Sequence, residues 1–576
     1  MIEFSEKSVP VLYVPEPSVG FAHGQTSDHP KDSLTLYGPA STPDRGQITI
    51  GAVGTKQGLA FLRRWLEAIS NPVAIPPRGK RDKEFRLHLS DFPGLEEAFE
   101  IRADAGALIA YELDPAGIRS AIAIENHHEA VAATTKLFID PIEHHAKNEE
   151  RMVDVWIFVV PEVVFETCRP VTGQRRKLEL VKRELSKRQK GRVDLPLLAG
   201  VIDDTLEAVF DDIPDFHRQI KAKLLKLGMT SQLVRETTLA PNEFLNRARY
   251  PKRGTQDSAT VAWNLATGLF YKTQADPPWK IAGMRPGVCY VRLVFKLLPN
   301  HLENHACCAA QMFLSEGDGV VFRGANGPWQ TEDKEFHLSD QAAGKLIKTV
   351  LDTYKQRFGT YPKELFIHGR TKFNDAEWDA FSKAVPEGTN VVGVRIRSTH
   401  GETKLFRDGD YPCLRGTAIR LGDRDAFLWT TGYAPRIDTY IGPETPNPLF
   451  VTVLRASGEY PAIEVVLADI LGLTKINYNA CNFSDGLPVT IRFADKVGEV
   501  LTMGSAAGAE RQPFKWFCCN DIGLRCAGFC CKLCCWRTSH MIEGGTIGRA
   551  SKWVWVIASR GASSQPRRSF GRCDGV

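Results

Sequence analysis

The chain has 576 residues, of which 43% are hydrophobic and 24% are charged. This is the composition of an ordinary globular protein with roughly two to four domains. Nine Lys or Arg but only three Asp or Glu lie from Trp516 onward, so this segment carries a net charge of +6 and the other residues carry −1, which together give +5. The remainder is not a globally basic nucleic-acid binder, and it would have to hold a polyanion in a local pocket or channel.

The sequence shows no sign of membrane insertion or export. No apolar run reaches the ~18–20 residues that a membrane span requires, and the first residues lack the pattern of a signal peptide. We therefore expect a soluble, cytoplasmic protein with no membrane partner.

The first 230 residues alternate strand and helix patterns. Predicted strands cover residues 34–37, 48–54 and 153–160, and predicted helices cover residues 56–69, 177–190 and 217–227. Short apolar runs that alternate with amphipathic segments are typical of α/β layers.

A second α/β unit is predicted between about residues 280 and 515. Its predicted strands cover residues 288–297, 311–314, 319–323, 364–368, 390–396, 426–430 and 450–454. Its predicted helices cover residues 339–358, 375–384, 460–472 and 488–501. Several strands come first and mixed strands and helices follow, which is compatible with an RNase H-like layout.

Four polar residues have the chemistry of a phosphate pocket. His217 and Lys221 lie four apart in a helical pattern and so share one face. Gln232 follows in a separate segment, and Lys272 ends another predicted helix at residues 262–271. Lysine supplies a point charge, glutamine an amide donor and histidine a ring donor. By spacing alone, a solvated lysine face with a surface histidine is the favoured interpretation.

This pattern resembles the MID-domain pocket of Argonautes. There an aromatic residue or His, a Lys four residues later, a Gln about a dozen later and a distal Lys clamp the 5′ phosphate of a guide, in the order of His217, Lys221, Gln232 and Lys272. Further segments resemble short prokaryotic Argonautes: residues 21–25, 36–39, 54–59, 155–161, 287–290, 306–313, 447–449, 473–479 and 487–495. The resemblance covers about residues 10–515. One departure is the loop after Lys272, where family members often carry Gly-Gly-x-Pro-Trp and this chain has seven residues ending in Pro278-Trp279.

The resemblance implies an α/β protein with a Rossmann-like MID domain followed by an RNase H-like PIWI domain. It places the N-terminal segment and MID domain in residues 1–275, the PIWI domain in 276–517 and an extension in 518–576. It implies a guide RNA, a complementary single-stranded DNA target and a heterodimer with a TIR-APAZ protein. The heterodimer would oligomerise on target binding, and the partner would then hydrolyse NAD(P), giving abortive-infection immunity. A Mg²⁺ ion at the guide 5′ phosphate is compatible with it, and no catalytic cofactor is implied.

The resemblance also implies that the PIWI domain is inactive. Slicing Argonautes hold two metal ions with carboxylates, and the matching positions here carry Val294, Gly369 and Asp495. One carboxylate cannot assemble a two-metal site, so we expect no catalytic residue, no metal and no enzymatic activity in this chain. Adjacent His pairs at 127–128 and 144–145 lack metal-ligand spacing. Displaced carboxylates are the alternative, and the candidates are Asp318, Asp375, Asp379 and Asp485.

Five basic residues are candidates for a nucleic-acid channel: Arg395, Arg397, Arg415, Lys475 and Arg492. Arg395 and Arg397 alternate along a predicted strand and so share a face. Such residues would hold phosphates and fix the register, while base pairing would read the sequence. Scattered basic residues also serve solubility alone, and that interpretation stays open.

The last 59 residues differ in composition from the rest. They contain eight of the fourteen cysteines, including Cys531 and Cys534 in a C-x-x-C spacing. A zinc site needs a second, separated pair, and Cys518-Cys519 are adjacent. The favoured interpretation is a disordered extension, and a small metal knuckle is the alternative.

Three functional alternatives remain open at the level of sequence. A sirtuin-like or nuclease effector could replace the TIR-APAZ partner. The chain could be a guided nuclease with displaced carboxylates, or an RNA-binding regulator without a partner.

Overall fold

The computed structural model describes residues 10–77, 86–169, 213–297, 305–314, 319–328, 337–407, 409–442, 444–501, 511–517 and 553–557. The helices are α1 (Pro30–Tyr37), α2 (Lys56–Ile69), α3 (Leu95–Phe99), α4 (Pro115–Ile122), α5 (His127–Asn148), α6 (Glu162–Thr167), α7 (Phe216–Leu227), α8 (Glu236–Leu239), α9 (Ser258–Thr273), α10 (Asp340–Phe358), α11 (Asp375–Ala384), α12 (Ile463–Gly472), α13 (Val489–Arg492) and α14 (Ala494–Leu501). None of these helices combines the length and the apolar character of a membrane span.

The strands are β1 (Val11–Tyr13), β2 (Val19–Gly20), β3 (Thr26–Ser27), β4 (Gln47–Ile48), β5 (Ile50–Thr55), β6 (Arg102–Ala103), β7 (Ile109–Leu113), β8 (Val155–Val160), β9 (Ser231–Arg235), β10 (Lys280–Ile281), β11 (Val288–Leu297), β12 (His305–Leu314), β13 (Gly319–Pro328), β14 (Glu364–Gly369), β15 (Asn390–Ser398), β16 (Thr403–Arg407), β17 (Thr417–Arg420), β18 (Asp425–Leu428), β19 (Leu449–Ala456), β20 (Arg511–Pro513) and β21 (Trp553–Ile557). They form one large mixed sheet, one four-stranded parallel sheet and three small sheets.

The four-stranded sheet has the order β7-β5-β8-β9, and all of its pairs are parallel. Strands β5 and β8 are buried along their whole length, as the continuous apolar runs of a sheet covered on both faces require. Leu59 and Leu62 of α2 pack in the core on one face, and Phe138 of α5 and Ile220 of α7 pack in the core on the other. This is a Rossmann-like arrangement, and it presents β9 between α7 and α9.

The large sheet has the order β1-β17-β18-β19-β15-β14-β11-β12-β13-β20. Its centre, β11-β14-β15, is parallel, and its flanks are antiparallel. Helices α10 and α11 contribute Ile347 and Phe381 to the core on one face. Helices α12 and α14 contribute Leu467 and Val497 to the core on the other. The layout is RNase H-like, and the face under α13 and α14 carries the candidate catalytic positions.

Most predicted elements are confirmed, and several have the predicted bounds, as α2, β11 and α11 do. The predicted strand at 34–37 is wrong, because these residues form the last turn of α1. His29 caps that helix by accepting from the Asp32 amide at 3.3 Å, and Pro30 occupies its first turn. The predicted helix at 488–501 is divided into α13 and α14 around Phe493. The helix predicted at 177–190 lies outside the described residues.

Both ends of the described chain join the C-terminal half of the fold. β1 pairs with β17 at the edge of the large sheet, so residues 11–13 do not lie with the parallel sheet. In the tail, β21 pairs antiparallel with β16. The tail cysteines lie outside the described residues, so both interpretations of the extension stay predictions.

Candidate nucleic-acid interface

Helix α7 and strand β9 build the first part of the site. Asp215 caps α7 by accepting from the Arg218 amide at 3.3 Å. Gly228 ends the helix with φ at +66°, a left-handed conformation that favours glycine. The chain then reverses within three residues and enters β9 at Ser231. This tight connection sets the inner face of α7 against the first residues of β9.

Three predicted pocket residues converge at the start of β9. The Lys221 Nζ donates to the Ser231 carbonyl at 2.8 Å, and the Lys272 Nζ, from the end of α9, donates to the Gln232 Oε1. The Gln232 Nε2 donates to the Leu233 carbonyl at 3.3 Å. Lys221, Gln232 and Lys272 are only 2%, 1% and 3% exposed. Burying an ammonium group is costly unless an acceptor or an anion compensates it, and each of these two lysines donates to an oxygen at the start of β9.

His217 lies one turn before Lys221 on α7 and is half-buried. The structure therefore places it beside the cluster, on the helix face that the spacing predicts. The neighbouring Arg218 pairs with Glu499 of α14 at 2.8 Å. This ion pair ties α7 to the helices of the large sheet.

The end of the described body packs against the same region. The Lys515 Nζ donates to the Gln274 carbonyl at 2.8 Å, two residues beyond Lys272. A Cβ atom at Gly228 would lie 3.7 Å from the Trp516 ring. Phe517 is buried, and the chain continues beyond it. No chain-terminal carboxylate can therefore occur at this position.

The three positions predicted to be degenerate catalytic positions also converge. Val294 of β11, Gly369 at the end of β14 and Asp495 of α14 line one cavity of about 140 Å³. The Asp495 carboxylate pairs with Arg370 at 3.2 Å, and both side chains are more than half exposed. Burial raises the pKa of Glu377, which also lines the cavity and accepts from the Leu338 amide at 3.2 Å. Among the described residues, no group of three or more His, Cys, Asp or Glu could hold a metal ion.

The candidates for displaced carboxylates that the structure describes do not gather at this cavity. Asp375 pairs with Arg455, and Asp379 lines a different groove between α10 and α11. Asp485 is buried, and its carboxylate accepts from Asn477 at 2.5 Å. Asp318 lies outside the described residues.

We expect that carboxylates restored at positions 294 and 369 will not produce cleavage. A Cβ atom at Gly369 would lie 3.1 Å from Phe373 Cζ and 3.2 Å from the Thr371 carbonyl oxygen. Overpacking of this kind destabilises by about 1–3 kcal/mol. The double variant Val294→Asp/Gly369→Asp should unfold at lower denaturant concentration and leave a paired target intact with Mg²⁺ or Mn²⁺.

The steric part of this prediction has a matched control. Gly344 on α10 has open space around its Cβ position. Gly344→Ala should be neutral or stabilising by about 0.4–1 kcal/mol, whereas Gly369→Ala should destabilise. Metal-dependent cleavage by the double variant would contradict the prediction.

The predicted channel residues divide into two groups. Arg395 and Arg397 on β15 and Arg492 on α13 reach the surface. The Arg395 Nε donates to the Arg370 carbonyl at 3.0 Å, which places it near the cavity. Arg415 and Lys475 are buried, and this corrects the expectation that they line a channel.

Both buried cations pair with Glu16. The distance from its carboxylate is 2.8 Å to the Arg415 Nε and 2.6 Å to the Lys475 Nζ. One carboxylate offsets one of the two positive charges, and both side chains also donate to uncharged oxygens of the fold.

Arg292 is the residue that the sequence reasoning missed. It lies in the middle of β11, lines the cavity and is 4% exposed. Burial, reinforced by Arg370, lowers its pKa to about 10. The sequence does contain one indication of it, which is a single arginine inside the apolar run 288–295. A charged residue is seldom buried in such a run unless it is paired.

No protein-family model matches the chain, and no curated protein matches its sequence. Among solved structures, the chain is similar to Clostridium butyricum Argonaute bound to a guide DNA (5′ deoxycytidine) and a 19-mer target DNA. The sequence identity is 15%, the TM-score is 0.52, and the match covers 87% of this chain and 54% of that one. It is also similar to A. aeolicus Argonaute, with 14% identity, a TM-score of 0.46 and coverage of 88% and 55%.

The chain therefore spans about half the length of the Argonautes it matches. The parallel sheet is Rossmann-like and the large mixed sheet is RNase H-like, which are the two layouts that the sequence resemblance implies. On these grounds, the chain has an Argonaute fold.

Proposed function

We propose that this chain binds a guide RNA by its 5′ phosphate and uses the guide to recognise complementary single-stranded DNA without cleaving it. The observation that carries the proposal is the buried cluster of Lys221, Gln232 and Lys272 at the start of β9. A terminal phosphate carries up to two charges and accepts several hydrogen bonds, so two lysines and an amide suit it. The matched Clostridium butyricum protein holds a guide and a target, both of DNA, whereas the sequence resemblance favours an RNA guide.

Lysine charges, rather than a metal ion, would neutralise the guide phosphate in this proposal. Of the four pocket side chains, only Gln232 offers an oxygen, and that oxygen accepts from Lys272. Mg²⁺ prefers several oxygen ligands, carboxylates above all. The donor set therefore does not fit a resident Mg²⁺, and no step is assigned to one.

The absence of cleavage is proposed from the chemistry at the cavity. Val294 and Gly369 offer no side-chain ligand, and Asp495 pairs with Arg370. A two-metal mechanism needs several carboxylates on both ions. Binding without cleavage is the outcome that this residue set supports.

The proposal extends to a signalling complex. On the resemblance to short Argonautes, the chain would form a heterodimer with a TIR-APAZ protein and activate its NAD(P) hydrolysis when a target pairs with the guide. Such activation requires the guide–target duplex to bind one conformational state of the complex better than the other. The ion pair between Arg218 on α7 and Glu499 on α14 links the guide pocket to the large sheet and is a candidate for transmitting that difference.

Co-expression with the adjacent gene tests the signalling proposal. The purified complex should consume NAD only when both guide RNA and complementary single-stranded DNA are present. A scrambled DNA of equal length is the control. A complex that carries Lys221→Met should no longer consume NAD when the guide RNA is supplied at a limiting concentration.

The other outcomes separate the alternatives. DNA degradation in place of NAD consumption would indicate a nuclease effector. A monomeric chain that binds guide but no partner would refute the signalling role and leave an RNA-binding regulator.

A further inference from the structure

Arg292 lies in a row of buried polar side chains that crosses three strands of the large sheet. In register, Arg292 of β11 lies beside His368 of β14 and Gln311 of β12. All three are buried. Within the described residues, the Arg292 Nε and Nη1 and both amide atoms of Gln311 have no hydrogen-bond partner. A buried guanidinium with unsatisfied N–H groups destabilises the fold. An apolar residue could fill the same position without that cost.

Neighbouring groups offset the Arg292 charge only in part. Burial lowers the pKa of His368 to about 3, so its imidazole is neutral, and its Nδ1 lies 3.0 Å from the Thr490 hydroxyl. The Asp495 carboxylate is more than half exposed and pairs with Arg370. Glu377, the other carboxyl group of the cavity, accepts from the Leu338 amide at 3.2 Å and lies 3.1 Å from the His337 Nδ1, and burial raises its pKa. The Arg292 guanidinium therefore lines the cavity with part of its positive charge uncompensated.

The cavity has the size and the rim of an anion site. Its volume of about 140 Å³ exceeds the ~30 Å³ share of one liquid water several-fold, which is room for one tetrahedral phosphate group. Arg370 lies at its exposed side, and Arg395 donates to the Arg370 carbonyl. Arg397 follows on the same face of β15. The cavity is therefore lined by the buried Arg292 and the half-exposed Arg370.

We propose that this cavity is a phosphate clamp, in which Arg292 binds the unesterified oxygens of one backbone phosphodiester of the bound nucleic acid. Arginine presents donors in a fixed fork that matches the two oxygens of a phosphodiester. The surface arginines hold the flanking backbone by charge alone and carry no sequence information. The inference rests on the proposed function for the source of the phosphodiester, but the anion site itself rests on Arg292 and the cavity.

Neutralising one linkage at a time in the target or guide strand tests the clamp. Each linkage is replaced in turn by an uncharged methylphosphonate, and the affinity of the chain for the duplex is measured. The affinity of the wild-type protein should fall about tenfold or more when one linkage, or either of two adjacent linkages, is neutralised. This is the loss expected for a charge-assisted hydrogen bond. Arg292→Met should show no loss at that linkage, and Arg292→Lys should keep part of it. Arg119→Met, an exposed arginine on α4, should have the wild-type profile. Identical profiles for wild type and Arg292→Met would overturn the clamp.

Thermal unfolding gives a second measurement that needs no nucleic acid. A merely structural arginine lowers the melting temperature when it is removed, whereas a buried charge held for a ligand raises it. Arg292→Met should therefore melt above wild type. Inorganic phosphate should raise the melting temperature of wild type more than that of Arg292→Met. A lower melting temperature for Arg292→Met, or equal phosphate shifts, would overturn the clamp.

The two measurements also separate the clamp from the proposed function. A chain that binds neither guide nor target but keeps the Arg292-dependent phosphate shift would refute the proposed function and support the anion site. The chain could instead bind a 5′-phosphorylated guide and target normally while no single linkage depends on Arg292 for its contribution to affinity. That result would support the proposed function and refute the clamp.

Discussion

Glu16→Gln is expected to lower the free energy of unfolding by about 3–5 kcal/mol, the range for breaking a buried ion pair from one side. The carboxylate of Glu16 contacts the Arg415 guanidinium and the Lys475 ammonium, whose side chains are 2% and 0% exposed. Glutamine keeps the volume but removes the charge. Two buried cations would then lie close together without an anion between them.

The pH dependence of this effect follows from the pKa of Glu16. Burial alone would raise it, but Arg415 and Lys475 together outweigh burial and lower it below 4.5. A carboxyl group with a depressed folded-state pKa contributes stability above its unfolded pKa, and this stability is lost as the pH falls through the folded value. The difference between wild type and Glu16→Gln should therefore persist from neutral pH to about pH 5 and shrink in more acidic solution.

Urea unfolding from pH 4 to pH 7 measures both effects. Asp423→Asn is the matched control, since Asp423 pairs with Arg420 at 2.5 Å but its side chain is 92% exposed. Exposed pairs contribute about 0–1 kcal/mol, so this variant should differ little from wild type. A loss below about 1 kcal/mol for Glu16→Gln at pH 7 would mean that water or rearrangement compensates the two cations.

The role of Glu16 also shows where sequence reasoning loses information. Arg415 and Glu16 are 399 positions apart in the chain, and no local pattern indicates that they meet. A basic residue in an irregular segment has the same local signature whether it faces a channel or pairs inside the fold. Arg415 and Lys475 were therefore predicted to be exposed although they are buried. The two-residue period of β15 correctly predicted that Arg395 and Arg397 share one face of the sheet.

Elements with long periodic patterns were predictable. Helix α2 and strand β11 have the bounds expected from their amphipathic and continuous apolar patterns. The error at residues 34–37 has a physical cause, because four residues are too few to distinguish a strand from the last turn of a helix. The capping by His29 and the proline at the first helical position favour the helix α1 over a strand.

The candidate site was partly predictable for a different reason. The family resemblance supplied Lys221, Gln232 and Lys272, and the fold brings these residues together from two helices and a strand. It supplied nothing for Arg292, which occupies no position that the resemblance marks. Its importance follows only from burial without a partner, which is a property of the folded chain.

Lys221→Met is expected to weaken binding of a 5′-phosphorylated guide by about 1.5–3 kcal/mol, the contribution of a hydrogen bond to a charged group. The buried Lys221 ammonium extends from α7 to the start of β9, where Gln232 and its partner Lys272 also lie. A phosphate bound there would be held in a medium of low dielectric, where the loss of one cation is felt strongly. A guide with a 5′ hydroxyl lacks the charge and should lose little.

The comparison between the two guides separates recognition from folding. Lys226→Met is the matched control, since Lys226 is an exposed residue on the last turn of the same helix. It should leave the preference for the phosphorylated guide unchanged. Lys221→Met should reduce that preference roughly 10- to 150-fold, as the same free energy requires. Because a distorted pocket would weaken both guides alike, an equal loss for both would make the bond from Lys221 to the Ser231 carbonyl a structural contact, and the guide phosphate would then have to bind elsewhere.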